Sequence, residues 1–482
     1  NLVYKFGEEG HTKAKILFLV IAIVGSIILY GVIRLIQKFK ENKLHITFAI
    51  IATVLGLAYL FLAPMFTGSD EQIHFYRIYE IADGKMITPI TSEGVGSELP
   101  KSLKSAFIKP NDQIKYIDIK DMAQIQLNKE DTEFYKDEYP SAALYIPIQY
   151  LPHVVGVSIG KLLNLGPYFL GMLGRLFNLI FYIAICTIGI KLLPKHKLFA
   201  MTILLTPAIL STAATLSTDA ITNSTVFLFI SYILNIIYEN KKVGKKEMAI
   251  LSVLAVLVAL FKIVYLPFIF LLVLLPKESF GGNKKKSIWI SIVIILSIAI
   301  SLIWLSTTSG YFESYYTNTP AQKDFIFSHL IEYCVIIVRT YCNYFVYLAQ
   351  MAFAGVEMYN TQLEMYSIIP IIFIVISIIA ALNETVKNKL KNWQKIYVVL
   401  ILLGIIGLIS TALYIQCTAQ FIAIGNPEVG GLQGRYFIPI IIALILILGS
   451  RDKKLTEENK LLPYLIMAHI PVFLTMLVRF IV

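Results

Sequence analysis

Long apolar runs separated by short charged segments recur along the whole chain. A helix needs about 20 mostly apolar residues to cross the hydrocarbon layer of a bilayer, so each such run predicts a membrane-spanning helix. The sequence therefore predicts an all-α, polytopic membrane protein. Full spans are predicted at 16–37, 45–66, 167–193, 198–217, 220–239, 287–305, 364–382, 396–417, 436–450 and 460–481.

Two further apolar stretches do not fit a single crossing. The run 247–276 has lysines at both ends and a break at Lys262–Pro267. A short hairpin would keep both basic ends on one side and would raise the count from about ten spans to about twelve. The stretch 306–363 is rich in Tyr and Phe, and its apolar part, 327–354, carries charged residues. It predicts a second interfacial or re-entrant element.

The largest polar insertion, residues 67–142, holds 14 acidic residues against 9 Lys and Arg. The aromatic tail that follows, 139–163, is interrupted by three prolines. Tyr and Pro suit the headgroup layer, so this tail predicts interfacial helices rather than a span. The two parts form one large first outer loop. The chain then divides into the segments 1–66, 67–163, 164–305, 306–363 and 364–482.

Charge and composition decide the orientation. The chain is 57% hydrophobic and 15% charged, and its net charge of +11 comes from lysines placed between apolar runs. The positive-inside rule explains that placement, so we expect no nucleic-acid partner. It puts the large loop and both termini outside a bacterial plasma membrane. Abundant Ile, Asn and Lys favour a bacterial source. The chain does not begin with Met, so its true start is expected upstream, and no cleavable signal is evident.

Four cysteines lie in apolar surroundings without the spacing of metal ligands: Cys186, Cys334, Cys342 and Cys417. They are predicted to be small core residues without disulfides.

The polar segment that opens the large loop reads TGSDEQIHFYRIYEIADG. Ser69 and Gln72 have the spacing of a capping box, and a glycine at 84 suits a helix end. Asp70, His74 and Arg77 then share one face of the predicted helix. An acid, an imidazole and a guanidinium would meet just outside the hydrocarbon layer. The alternative is that Asp70 only caps the helix and that His74 is only an interface residue.

Other polar residues near the same predicted boundary come from distant parts of the chain. Ionisable groups at membrane depth are costly, which makes them functional candidates. Each also has a structural alternative, as a helix cap, a snorkelling side chain or a helix anchor. These candidates are Arg175, Asp219, Asn223, Lys262, Tyr265, Gln433, Arg435 and Tyr436.

Such a set suits glycosyl transfer from a lipid-linked donor. A carboxylate can accept the proton of a hydroxyl nucleophile, and Lys and Arg can hold a phosphate that leaves. A phosphate at the membrane boundary with an apolar tail describes a polyprenyl phosphate. One base suffices for inversion, whereas retention needs a carboxylate nucleophile as well. The acids could instead hold a divalent cation, Mg²⁺ or Mn²⁺, against the phosphate, although no spacing fixes a metal.

Several segments resemble a known family in the same order along the chain: GSDEQIHFYRIYEIADGK, GRLFN, LSTDAITN, FKIVYLPF and GLQGRYFIP. They are similar to the bacterial membrane family of domain of unknown function 2142 (DUF2142), usually grouped with GT-C glycosyltransferases. The resemblance implies a GT-C-like fold and a polyprenyl-phosphate sugar donor. It implies Asp70 as the catalytic base, with Glu71 as its neighbour or substitute. It offers Lys262 and Arg435 as phosphate contacts, and makes the span at 16–37 an addition.

The sequence thus favours an inverting glycosyltransferase whose acceptor is a cell-envelope glycan or a lipid-linked acceptor on the outer face. Two alternatives stay open. A flippase or transporter of lipid-linked saccharide would show repeats or charges deep in several spans. A non-catalytic subunit of a glycan-assembly complex would depend on partner proteins of glycan synthesis.

Overall fold

The computed structural model describes residues 12–36, 43–68, 70–109, 114–355 and 368–481. Helices dominate these residues, as the apolar runs predicted. The α-helices are α1 (Thr12–Ile36), α2 (Leu44–Leu62), α3 (Glu71–Ala82), α4 (Lys101–Ser105), α5 (Ile119–Gln124), α6 (Pro140–Ala143), α7 (Leu151–Leu162), α8 (Pro167–Leu192), α9 (Lys197–Leu204), α10 (Pro207–Ala213), α11 (Asp219–Glu239), α12 (Lys245–Phe261), α13 (Asn283–Tyr315), α14 (Thr319–Ser328), α15 (Leu330–Ala354), α16 (Ile368–Leu382), α17 (Asn392–Leu413), α18 (Ala419–Phe421), α19 (Ile438–Ala443), α20 (Glu458–Met467) and α21 (Ile470–Ile481).

Several 3-10 helices and one π-helical turn connect or extend the α-helices. The 3-10 helices are Tyr116–Asp118, Pro147–Tyr150, Ile263–Leu274, Lys277–Phe280, Gly434–Phe437 and Leu444–Leu446, and Tyr414–Thr418 is a π-helical turn. The large loop adds two antiparallel strand pairs, β1 (Ile90–Thr91) with β2 (Gly94–Val95) and β3 (Glu98–Pro100) with β4 (Thr132–Phe134).

The structure confirms an all-α polytopic membrane protein but contains fewer unbroken spans than the ten to twelve predicted. Among the described residues, six helical segments are long and apolar enough to cross a membrane, or up to seven if α14 and α15 form one bent span. The difference has a local cause. The predicted span 198–217 is divided into α9 and α10, with Pro207 opening the second helix. The predicted span 436–450 alternates between 3-10 and α geometry.

The predicted hairpin at 247–276 is confirmed. The chain enters along α12, becomes extended at Lys262 and returns as the 3-10 helix Ile263–Leu274. Its two ends meet, because the backbone N–H of Val243 donates to the carbonyl oxygen of Ser279 at 2.8 Å. Lys262 therefore lies at the tip of the hairpin, far from the lysines at its base.

The segment predicted as interfacial or re-entrant contains α14 and α15, which meet at an angle of 105° next to His329. Residues 356–363 of that segment lie outside the described residues. The bend makes α15 a separate helix of 25 residues.

One large hydrophobic cluster joins α2, α8 to α12 and the carboxy-terminal helices, so the membrane segments share a core. The large loop has its own cluster, which includes Phe75, Tyr135 and Tyr150 and reaches α8 through Leu170. Helices α7 and α8 pack closely at Gly156, where an added Cβ would lie 2.3 Å from the carbonyl oxygen of Leu173. This contact fixes the large loop on the membrane core.

The four cysteines are free, but only one of them matches the expectation of a core residue. Cys186 is buried, Cys417 is half-buried, and Cys334 and Cys342 are exposed on α15. An exposed cysteine on an apolar helix is compatible with a lipid-facing surface.

The lysine-rich loops collect at one end of the bundle. The ammonium of Lys195 donates to the carbonyl oxygen of Leu448 at 3.2 Å, and the N–H of Arg451 donates to the carbonyl oxygen of Glu384 at 2.8 Å. These loops belong to the ends that the positive-inside rule assigns to the interior. We call this end the lysine-rich end.

Candidate functional site

Asp70 lies between α2 and α3, directly before the first residue of α3. Its backbone is left-handed, with φ of 58°, and its side chain makes no capping hydrogen bond. The carboxylate of the next residue, Glu71, accepts the N–H of Gly68 at 3.1 Å instead. The simple capping role considered for Asp70 is therefore absent, and its side chain is 51% exposed. Ser69, the other half of the predicted capping box, lies outside the described residues.

Glu71 is committed elsewhere, to a buried ion pair with Arg175 of α8. Both guanidinium–carboxylate contacts measure 2.5 Å, and the two side chains are at most 1% exposed. Arg175 also donates to the carbonyl oxygens of Ala63 and Pro64, and Glu71 accepts the N–H of Leu216. The pair fastens the start of α3 to α8 and to the chain before α11. This geometry favours a structural role for both residues over the predicted roles in catalysis and donor binding.

Arg77 is also held in a buried ion pair. It pairs with Glu80 at 2.5 Å and donates to the carbonyl oxygen of Met86 at 2.6 Å and to the hydroxyl of Thr88 at 3.1 Å. Arg77 and Glu80 are fully buried. The guanidinium thus holds the chain after α3 against that helix, and its hydrogen bonds within the described ranges go to Glu80, Lys85, Met86 and Thr88.

Four of the predicted residues do meet, and we call them the charge centre: Asp70, Asp219, Lys262 and Arg435. The ammonium of Lys262 hydrogen-bonds a carboxylate oxygen of Asp219. Arg435 Nε lies 3.6 Å from the other oxygen of Asp219, and its Nη2 lies 4.0 Å from Asp70 Oδ2. Asp219, Lys262 and Arg435 are 9%, 14% and 14% exposed. Asp70 is therefore the one acid of the centre that faces open space.

Local structure explains how these distant residues converge. Asp219 is the first residue of α11, Lys262 is the extended residue at the hairpin tip, and Arg435 lies in the short 3-10 helix before α19. Each occupies the end of an apolar element, where a charge avoids the hydrocarbon layer. The three ends meet because their helices pack in one bundle.

Tyrosine rings surround the two cations. Lys262 Nζ lies 5.1 Å from the ring centroid of Tyr436 and 5.9 Å from that of Tyr145, and the Arg435 guanidinium lies 5.4 Å from the Tyr436 centroid. These distances suit cation–π attraction. The hydroxyl of Tyr265 donates to the carbonyl oxygen of Tyr436 at 2.9 Å, which fixes the backbone beside Arg435. Tyr145 was not singled out from the sequence, although its aromatic, proline-rich segment was.

An apolar cavity of about 260 Å³ extends from Lys262. Its wall is built from the hairpin tip, the middle of α13 and the carboxyl end of α17. Lys262, Tyr145 and Tyr436 stand at its polar end, and the other lining residues are mostly apolar. They include Leu144, Phe261, Trp304, Leu305, Ile409 and Leu413. We call this space the lipid-side cavity.

Two further candidates, Asn223 and Gln433, lie close along the chain to residues of the charge centre. Asn223 lies one turn after Asp219 on α11 and is 2% exposed, and its Nδ2 makes no hydrogen bond with a described residue. Gln433 precedes the 3-10 helix of Arg435, where its carbonyl oxygen accepts the N–H of Tyr436. Gln433 therefore holds the backbone of Tyr436 next to Arg435.

His74 is buried beside the charge centre and bonds Tyr150, with 2.7 Å between Nδ1 and the hydroxyl oxygen. Burial is the main reason that the pKa of His74 falls to about 4, against the opposing pull of the Asp70 carboxylate. Burial also lowers the pKa of His153, which lies three residues after Tyr150, to about 3. Both rings are neutral at pH 7, so His74 is not a cation for phosphate at that pH.

These histidines predict a loss of stability in acid. Unfolded histidine binds a proton near pH 6.5, whereas the folded rings do so only near pH 4 and below, so stability falls as pH drops through this window. Each ring destabilises the fold by about 1.4 kcal/mol per pH unit there. Melting temperatures in detergent at pH 7 and pH 5 measure the slope. His74→Gln should make the slope shallower and His329→Gln, at an exposed position, should not. Equal slopes in all three proteins would contradict the assignment.

The two carboxylates of the charge centre are engaged by cationic side chains. Both carboxylates already face Arg435, and Asp219 also holds Lys262. Within the described ranges, no group of three His, Cys, Asp or Glu side chains could hold a metal ion. Mg²⁺ and Mn²⁺ favour several oxygen ligands, and the charge centre offers two carboxylates. The predicted metal alternative stays open to a chelator test.

Fold and charge centre together define a polytopic helical membrane protein with a charged site at the ends of its helices. The chain belongs to a family described as predicted membrane protein (DUF2142), whose model matches residues 53–444. This range includes all four residues of the charge centre and excludes α1. No curated protein and no solved structure gives a significant match.

Proposed function

We propose that this protein is a GT-C-type inverting glycosyltransferase that moves a sugar from a polyprenyl-phosphate donor to a cell-envelope glycan or lipid-linked acceptor. The observation that carries the proposal is that Lys262 belongs to two sites at once. Its ammonium belongs to the charge centre, and the same residue lines the lipid-side cavity. An amphipathic ligand with an anionic head and an apolar tail fits that arrangement.

Lys262 and Arg435 are the proposed phosphate contacts. Both are largely buried, and charge-assisted hydrogen bonds to phosphate are strongest where water is excluded. Asp219 neutralises and orients them. The apolar wall of the lipid-side cavity would receive the first isoprene units of the donor. Tyr145 and Tyr436 bracket the ammonium and would flank the sugar next to the phosphate.

Asp70 is the proposed base. Its exposed carboxylate accepts the proton of the acceptor hydroxyl, whose oxygen forms a bond to the anomeric carbon. The bond between that carbon and the phosphate oxygen breaks, and the electron pair leaves with the phosphate toward Lys262 and Arg435. Because Asp219 is held by both cations, one acid is available to act, which supports a single displacement with inversion.

The lysine-rich end lies opposite the charge centre along the helices, and this supports an outer position for the site in a bacterial plasma membrane. The test uses purified protein in liposomes, a polyprenyl-phosphate donor with a labelled sugar, and an envelope glycan or lipid fraction as acceptor. Transfer of label with inverted configuration supports the proposal. Movement of intact donor across the vesicle without transfer would instead support the flippase alternative. Activity that requires a second protein would support the subunit alternative.

The donor site makes its own prediction. Lys262→Met should weaken binding of a polyprenyl monophosphate by roughly 10- to 100-fold, because one charge-assisted hydrogen bond contributes about 1.5–3 kcal/mol. Binding is measured by native mass spectrometry or by scintillation proximity. The uncharged polyprenol should bind parent and variant equally. Lys136→Met removes an exposed lysine of the large loop and is the matched control. Equal phosphate binding by Lys262→Met and Lys136→Met would exclude Lys262 from the donor site.

A further inference from the structure

A second cavity, of about 360 Å³, lies at the lysine-rich end, opposite the charge centre. It is enclosed by the turn before α9, the carboxyl end of α16 and the loop that follows the last 3-10 helix. Its charged lining residues are three lysines, Lys195, Lys197 and Lys454, and one acid, Glu384. Leu44, Leu198 and Ala380 give it an apolar margin.

The Glu384 carboxylate is hydrogen-bonded to backbone N–H groups on two segments of the chain. One of its oxygens accepts the backbone N–H of His196, and the other accepts those of Thr385 and Val386 at 2.8 and 2.7 Å. Its carboxylate therefore holds two chain turns together.

Lys195 is the decisive residue. It is 1% exposed, and it makes no ion pair with any residue that the structure describes. Its ammonium has three donors, and its one hydrogen bond among the described residues goes to the carbonyl oxygen of Leu448 at 3.2 Å. Buried lysines are rarely left without a counter-ion. Burial lowers the pKa of Lys195 to about 8, and the charge of Glu384 opposes this fall only in part.

His196 adds a second buried polar group to the same wall. Its side chain is 1% exposed, and neither ring nitrogen makes a hydrogen bond of ordinary geometry within the described part of the chain. The carbonyls of Leu448 and Gly449 lie near enough to favour its protonated form, although burial outweighs them and lowers its pKa to about 4. Two buried polar side chains thus border one cavity, and neither makes a hydrogen bond to a carboxylate of a described residue.

We propose that this cavity binds a phosphate ester, namely the headgroup of an anionic phospholipid from the leaflet at the lysine-rich end. The headgroup phosphate would supply the counter-ion that Lys195 lacks, and Lys197 and Lys454 would contact it from the rim. The apolar margin at Leu44 and Leu198 would meet the first carbons of the acyl chains. Basic pockets between membrane helices recognise lipid headgroups in this way. The site is separate from the charge centre and does not depend on glycosyl transfer.

The experiment measures the melting temperature of the purified full-length protein in detergent. Phosphatidylglycerol should raise it by about 3 °C or more at saturating concentration, since a ligand of the folded state stabilises by mass action. Phosphatidylcholine should not. The shift should disappear in Lys195→Met and shrink in the double variant Lys197→Gln/Lys454→Gln. Lys453→Gln removes the adjacent lysine outside the cavity lining and should keep the full shift.

The variants also separate a ligand role from a structural one. A buried charge without a partner is costly, so Lys195→Met without lipid should be at least as stable as the parent. If Lys195→Met unfolds, the rim variant still decides the matter. Equal shifts with both lipids, or a full shift in the rim variant, would overturn the proposal. A full shift with millimolar inorganic phosphate alone would also overturn it, because the ligand would then be a soluble phosphate.

Discussion

Replacing Asp70 with asparagine should reduce sugar transfer by about 100- to 10,000-fold, the range that general-base catalysis contributes. Asparagine keeps the size of the side chain but cannot accept the proton of the acceptor. Asp70 is half exposed and lies 4.0 Å from Arg435 through Oδ2, so its loss should leave the fold intact. The measurement is the turnover of labelled polyprenyl-phosphate sugar in proteoliposomes.

Two controls make the result specific. Glu93→Gln removes an exposed carboxylate of the same large loop and should retain full activity. Asp70→Asn should still bind a polyprenyl monophosphate within a few-fold of the parent, because the proposed phosphate contacts remain. Full turnover by Asp70→Asn would eliminate this aspartate as the base. Loss of turnover together with loss of donor binding would point to a role in donor binding.

The second large effect concerns stability. Arg175→Met or Glu71→Gln should destabilise the protein by about 3–5 kcal/mol, because each removes one partner of a buried ion pair and leaves the other unbalanced. The Arg175→Met substitution also removes the hydrogen bonds to the carbonyl oxygens of Ala63 and Pro64. Thermal unfolding in detergent and the yield of folded protein measure the loss. Function should fall with the amount of folded protein, and activity per folded molecule should change less.

The double variant Glu71→Leu/Arg175→Met tests the reason for that loss. Removal of both charges should cost less than the sum of the single changes, since no uncompensated charge remains. Lys101→Met is the matched control, because Lys101 and Asp131 form a pair in which both side chains are about half exposed. Exposed pairs contribute little to stability. A loss from Arg175→Met as small as that from Lys101→Met would show that the buried pair is not what fastens α3.

Much of the fold follows from the sequence because hydrophobicity adds up along a local window. The apolar runs predicted α2, α8, α11 and α17 within a few residues of their ends. The lysines flanking 247–276 predicted the hairpin, which the contact between Val243 and Ser279 confirms. The sequence predicted less well whether an apolar run forms one unbroken helix. Pro207 and the 3-10 turns near Leu444 interrupt apolar runs that hydropathy alone describes as unbroken.

The candidate site divides in the same way. Charged residues that border apolar runs are easily recognised in the sequence, and four of them, Asp70, Asp219, Lys262 and Arg435, do converge. The sequence could not predict which charged side chains form ion pairs with each other. Glu71 pairs with a residue 104 positions away, whereas the family resemblance implied that it is the neighbour of the base or its substitute. Tyr145 belongs to the site only because its loop folds over the hairpin tip.

The sequence by itself determined that this is a multi-pass membrane protein and which ends of its helices carry charge. Those properties depend on the composition of each segment and on the cost of placing an ion in hydrocarbon. Only the tertiary structure decided that Glu71 and Arg77 are held in buried ion pairs while Asp70 is left exposed. That choice depends on which helices pack together, because a buried carboxylate takes whichever cation the packing brings within hydrogen-bond distance.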